Sequence, residues 1–190
     1  MMQPPAMISV LAGLVLVGCG GDGERASLVA YHLEEHWTES APPARRENLS
    51  VPAGAHVVSC GAPASACPGL QEIPRRTVYY ALTGRPELRT SDFAVGSAQA
   101  TFSRNSGPVV HVRLTERGRA RFRTLTRHMA RVGRRQRRHQ QLALVVGDRV
   151  VAVPTIDYEH TPGGIDSRVV EIAGMSATEA EEMAEGLRGD

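Results

Sequence analysis

The sequence predicts an α+β domain: a mixed or antiparallel sheet with helices packed on one face. Three observations predict it. From Pro108 onward the residue pattern reads strand, helix, hairpin, strand, helix. Two of those segments carry apolar side chains at helical spacing: Phe122, Leu125, Met129 and Val132 in the first, Ala180, Met183, Ala184 and Leu187 in the second. Between them, LALVVGDRVVAVPTI sets two apolar arms around Gly147-Asp148. A two-residue loop with glycine first suits a type II′ hairpin turn.

The elements follow in order. SLVAYHLEE alternates, with Val29, Tyr31 and Leu33 on one side and His32 and Glu34 on the other. This predicts a strand. The competing amphipathic helix would set His32 and His36 one turn apart, as metal ligands can be, but no third ligand stands nearby. Residues 38–52 are polar and proline-rich, so a loop is expected. AHVVSC and TVYYALTG read as short strands. SDFAVGSAQATFS and PVVHVRLT read as an antiparallel pair joined through RNSG.

Thr115 then stands as a helix N-cap, with Glu116 in the first turn, where the helix dipole favours a carboxylate. Gly133 can end this helix, and RRQRRHQQ can extend it. Pro154 has no N–H to donate, so the second hairpin arm should end there or lie at an edge. EHTPGGID is a loop and SRVVEIAG a strand. Ser176 and Glu179 form a capping box for the last helix. Asp190 follows almost at once, and no membrane-spanning segment is expected after it.

The N-terminus reads differently. Residues 6–17 form an apolar run that is too short for a bilayer, which needs about 20 residues. Its length fits the h-region of an export signal. It ends in Leu16-Val17-Gly18-Cys19, which resembles the bacterial lipobox, and Gly20, Gly21, Asp22 and Gly23 make a flexible tether. No Lys or Arg precedes the run, a departure from the usual pattern. Acylated Cys19 would anchor the chain, each buried methylene contributing about 0.8 kcal/mol. The expected organisation is a lipoprotein signal peptide over residues 1–18, a tether over 19–27, strands and loops over 28–107, and the α+β domain over 108–190.

Composition limits the function classes. Of the 190 residues 42% are hydrophobic but only 4% aromatic, so aliphatic side chains must fill the core. Net charge is only +2, which gives no global signal for nucleic acid. All 22 basic residues are Arg, a pattern that coding bias in a GC-rich genome would produce. With Cys19 acylated, Cys60 and Cys67 remain, bracketing GAPASA. In an oxidising compartment this pair reads as a disulfide. Two cysteines without a nearby His pair make a poor zinc site.

Three segments carry a resemblance: VVHVRLTERGRARFRTLT, LALVVGDRVVAVPTI and VVEIAGMSATEAEEMAEGLRGD. Together they resemble the head subdomain of the first large periplasmic domain of SecD. The matching positions are Gly118, Phe122, Thr126, Val145, Val146, Pro154 and Ile156. Ile172, Gly174, Ser176, Glu179, Ala180, Leu187 and Gly189 continue the match. YYALTGRPEL looks like that family's L-L-T-G segment. The likeness is close from Pro108 to the C-terminus and looser upstream. Three features depart from it: the reversed turn Gly147-Asp148, Met175 where the family has an aromatic, and the basic RVGRRQRRHQQ. The resemblance implies a ferredoxin-like α+β head outside the membrane. It implies exported polypeptide or Sec translocase components as partners. The matched residues are structural and speak for a fold more than for an activity. Lacking the membrane helices of SecD proper, the chain is not expected to use a proton gradient.

The motifs of catalysis are missing. The sequence has no P-loop, no Gly-x-Ser-x-Gly and no His-Glu-x-x-His, and TPGGID lacks the strand and helix that a nucleotide fingerprint needs. A non-enzyme without cofactor or bound metal is expected. The sharp surface feature is a run of eleven arginines from Arg113 to Arg138, accompanied by one acid, Glu116. It reads either as a solvated helix or as a site for an anionic partner, with Arg134, Arg135, Arg137 and Arg138 at its end. The expected function is a non-catalytic, lipid-anchored extracytoplasmic binding module of export. The alternative is an Arg-rich membrane-surface or polyanion adaptor. The export signal argues against nucleic acid as a partner.

Overall fold

In the computed structural model the described residues are 25–33, 43–62, 64 and 66–189. Cys19, the expected signal peptide, His36 and most of the tether lie outside them. Nine strands and two α-helices are described: β1 (Leu28–His32), β2 (His56–Cys60), β3 (Val78–Leu82), β4 (Phe93–Ser103), β5 (Gly107–Leu114), α1 (Glu116–Gln136), β6 (Gln140–Val146), β7 (Arg149–Ala152), β8 (Thr155–Ile156), β9 (Val169–Ala173) and α2 (Ala177–Arg188). The strands fall into two sheets. One runs β1-β6-β7-β2-β3, with β8 also paired to β6; the other runs β4-β5-β9. All pairings are antiparallel except β2 with β7, so the fold is α+β with a mixed sheet, as the element order predicts.

The larger sheet is buried on both faces, which explains why β6 is apolar at every position from Leu142 to Val145. Leu28, Ala30, Leu142, Leu144 and Val151 point to the main core. There they meet Val110, Val112 and Ile172 of the smaller sheet, Phe122, Leu125 and Met129 of α1, and Ala180, Ala184 and Leu187 of α2. Tyr31, Val58, Tyr80, Ala143, Val145 and Val150 point the other way into a second cluster. Cys60, Ala64 and Cys67 close that cluster. The Cys60–Cys67 disulfide links the end of β2 to this covering loop. Tyr80 adds a polar tie, donating its hydroxyl to Pro68 O at 2.9 Å.

Local chemistry sets the element ends. Thr115 caps α1, its Oγ1 accepting from Gly118 N–H at 3.0 Å. Ser176 and Glu179 form the reciprocal box on α2, with Ser176 N–H donating to Glu179 Oε2 at 2.8 Å and Glu179 N–H to Ser176 Oγ at 3.3 Å. The hairpin turns at Gly147, whose φ of 61° belongs to the left-handed region, while Asp148 stays at negative φ. That is the type II′ pattern. β7 ends at Ala152, before Pro154. The register shifts between Leu144 and Val145, and the chain pairs with β6 again through Thr155 and Ile156. α1 runs past Gly133 to Gln136, and Arg137 closes it in the left-handed conformation at φ 52°. Gly133 instead permits contact: a β-carbon there would press on Arg138 O and the Tyr158 ring.

Candidate functional site

Helix α1 is the element on which the chemistry of the surface concentrates. Its N-terminal half is tied down by acids brought from elsewhere in the chain. Buried Asp92 lies in a short 3₁₀ turn before β4. Its Oδ2 accepts from Arg121 Nη1 at 2.8 Å and from Arg89 N–H at 3.0 Å, and its backbone carbonyl accepts from Thr115 N–H at 3.0 Å. Asp166 accepts from both Nε and Nη2 of Arg119, at 2.6 and 3.0 Å. This fork geometry holds the Asp166 carboxyl below its usual range. Arg123 Nη1 stands 3.9 Å from the same carboxylate. Thr126 bridges to the loop after β8, accepting from Ile165 N–H at 2.8 Å while donating to Phe122 O at 2.9 Å.

The C-terminal half of α1 differs. Arg131, Arg134, Arg135, Arg137 and Arg138 are exposed, and no ion pair engages any of them among the described residues. Arg138 Nε donates to Gln136 Oε1 at 3.0 Å, a neutral contact. Arg131, Arg134 and Arg135 line a cavity of about 380 Å³ with Ala130 and Pro162. The structure therefore gathers the four arginines predicted as an anionic-partner site at one end of α1. It also divides the run, because Arg119, Arg121 and Arg123 have carboxylate partners that lie far away in sequence.

Beside the arginines stands a second cluster. Asp157 Oδ2 accepts from His160 Nδ1 at 2.7 Å, and His139 Nδ1 lies 3.7 Å from Oδ1. The His160 hydrogen bond, aided by the N–H groups of Glu159 and His160, lowers the Asp157 pKa to about 2. The same bond raises that of His160. His32 is fully buried in β1, with Nε2 on Gln140 Oε1 at 3.0 Å. Among the described residues no group of three or more His, Cys, Asp or Glu side chains is arranged to hold a metal ion.

A groove of about 580 Å³ runs along the other flank of α1. Leu125, Ala120 and Thr124 line it, with Arg117 and Arg121 toward the helix start, and His128 and Glu87 at the opposite end. The Glu87 carboxylate also accepts from His32 N–H at 3.0 Å. Sequence reading did not find this groove. Its wall comes from the loop between β3 and β4, and only the spacing of Arg117, Arg121, Leu125 and His128, by four, four and three residues, hinted at a shared flank.

The fold and surface together define a small sheet-and-helix module whose distinctive residues are structural: a cap, close-approach glycines and a disulfide clip. Residues 70–190 match the family model SecDF, P1 head subdomain, and the chain belongs to that family. Two solved structures share the fold. One is a SecDF described as a membrane component that enhances protein export. It has a TM-score of 0.51 and 23% identity, over 88% of this chain and 64% of that one. The other is SecDF in its super-membrane-facing form, with a TM-score of 0.51 and 24% identity, over 88% of this chain and 19% of that one. The chain thus spans less than two thirds of either. No curated protein matches it. No helix of the described residues is long and apolar enough to cross a membrane.

Proposed function

We propose that the chain is a non-catalytic, extracytoplasmic head module, tethered by a lipid on Cys19, that holds exported polypeptide as it emerges from the membrane. The observation that carries this reading is the match of residues 70–190 to the SecDF head subdomain. The Cys60–Cys67 disulfide supports an oxidising compartment. The groove beside α1 offers a suitable site. Leu125 gives it an apolar floor, while Arg117 at one end and Glu87 at the other tolerate side chains of either charge.

Two experiments test the reading. A photo-crosslinking residue at Thr124, in the full chain, should capture secreted precursors in cells during export; Ala120→Asp, at an exposed position lining the groove, should abolish capture at an unchanged level of protein. Capture that persists in Ala120→Asp excludes this groove. Labelled palmitate should enter the protein and fail to enter Cys19→Ala; equal labelling, or none in either, removes the anchor.

A second reading has its own observation: Arg131, Arg134, Arg135, Arg137 and Arg138 are exposed and have no ion-pair partner among the described residues. They favour an adaptor for anionic lipid headgroups or another polyanion. Vesicle binding that falls with salt and is lost when Arg134, Arg135, Arg137 and Arg138 become Gln supports it. Peptide binding indifferent to salt and to those changes supports the export reading.

A further inference from the structure

The smaller sheet runs β4-β5-β9, so β4 is an outer strand. Two hydrogen bonds give its backbone polarity. Arg113 N–H donates to Ser97 Oγ on β4 at 3.0 Å, whereas Leu114 N–H donates to Arg168 O, beside β9, at 2.8 Å. Odd-numbered residues of β5 therefore address β4 and even-numbered ones β9. Gln99 pairs with His111 and Thr101 with Val109. Gln99 and Thr101 thus turn their backbone groups inward, and Ala100 and Phe102 turn theirs to the free edge. Ala98 fits this alternation, since its carbonyl accepts from the side chain of Arg188 at 2.9 Å.

Nothing among the described residues covers the backbone of Ala100 or Phe102. Exposed edges are commonly blunted by lysine, proline or a bulge. The register irregularity of β4 lies before Gln99, and the stretch from Gln99 to Ser103 carries neither charge nor proline. Phe102 is 73% exposed, the most exposed large apolar side chain described. It lies on the face covered by α2, at a groove of about 290 Å³ lined with Ala100, Pro108, Ala177 and Ala180.

We propose that this edge pairs with the same edge of a second copy of the chain, β4 antiparallel to β4, about a two-fold axis at Thr101. In that register Thr101 opposes Thr101 of the second copy, and each Ala100 opposes a Phe102. The two outward-facing residues of each strand then exchange N–H and C=O groups with their counterparts. A register centred on Ala100 or on Phe102 would set like against like, small on small or ring on ring. The Thr101 register sets the ring over the small residue, where the groove along Ala177 and Ala180 receives it. The contact is self-complementary and closed, as a two-fold interface must be. It joins two three-stranded sheets into one and leaves both α2 helices on the same face.

The test uses the full chain with Cys19→Ser, which removes the thiol outside the disulfide. Opposed residues of a non-hydrogen-bonded antiparallel pair have Cα atoms about 4.5 Å apart, within the range a disulfide spans. Thr101→Cys should therefore give a covalent dimer on mild oxidation. Gln99→Cys should not, because two copies of residue 99 would lie about 13 Å apart along the strands. Adding Phe102→Asp should lower the Thr101→Cys dimer yield at least about tenfold through loss of apolar burial. Independently, sedimentation of the chain without any new cysteine should show a concentration-dependent dimer that Phe102→Asp abolishes. A monomer at all concentrations, or Gln99→Cys cross-linking as well as Thr101→Cys, overturns the proposal. So does a monomeric chain whose edge, carrying a photo-crosslinker at Thr101, captures an unfolded polypeptide instead.

Discussion

Gly118 lies under the backbone carbonyl of Asp92, so close that a β-carbon on Gly118 would overlap its oxygen. This approach seats the first turn of α1 on the 3₁₀ turn ahead of β4. It lets Thr115 N–H and Arg121 both reach Asp92. Gly118→Ala should therefore lower stability by about 1–3 kcal/mol, the usual cost of overpacking. The urea midpoint checks this, and Gly186→Ala serves as the control, because a β-carbon at Gly186 meets nothing within 4 Å.

Asp92 itself is fully buried and accepts from Arg121 and from Arg89 N–H. Asp92→Ala leaves that partly buried N–H without its acceptor and frees the Arg121 guanidinium. A loss of about 1–3 kcal/mol is expected, with hydrogen exchange rising first in the opening turn of α1. A drop confined to strands β2 and β3 would contradict this.

The Asp157–His160 pair makes stability depend on pH in two directions. The Asp157 pKa falls from 3.8 to about 2 on folding, so its contribution is complete above pH 3.8 and disappears as pH drops through about 2. The His160 pKa rises above 6.5, so its contribution is complete below pH 6.5 and disappears as pH climbs through the raised value. The melting temperature of the wild type should exceed that of Asp157→Asn most between those limits. The gap should narrow toward alkaline pH and toward strong acid. A gap constant with pH would refute the pairing.

The disulfide closes a short loop over the second cluster. Reduction, or Cys60→Ser with Cys67→Ser, should cost about 2.5 kcal/mol on the chain-entropy model. The loss should appear as earlier exchange of β2 and β3, since Cys60 and Cys67 pack with Val58 and Tyr80 and not with α1. Calorimetry with and without reductant reads the magnitude.

Arg137 holds a left-handed conformation that side chains with a β-carbon adopt at a cost of about 1–2 kcal/mol. Arg137→Gly should relieve most of it, offset by greater freedom in the unfolded chain. A net gain of about 0.5–1 kcal/mol in thermal unfolding is expected, and a net loss would show that the Arg137 side chain contributes more than its backbone strain removes.

Local pattern in the sequence determined most of the secondary structure. Helical spacing marked Phe122, Leu125 and Met129 as core, and all three are buried. The Thr115 and Ser176 caps, the glycine-led turn at Gly147 and the end of β7 before Pro154 follow from hydrogen-bonding and backbone rules that act over a few residues. The same local residues carried the family resemblance. Tertiary structure alone decided how the elements combine. It divided the strands between two sheets, laid β1 against β6, and brought β8 back to the same strand. It also sorted the arginines. Arg119 and Arg121 look alike in sequence to Arg134 and Arg135, yet Asp166 and Asp92 reach only the first two. Pairings of this kind join residues 29 to 47 positions apart. They depend on which surfaces the packed core brings together, and no periodicity along the chain encodes that.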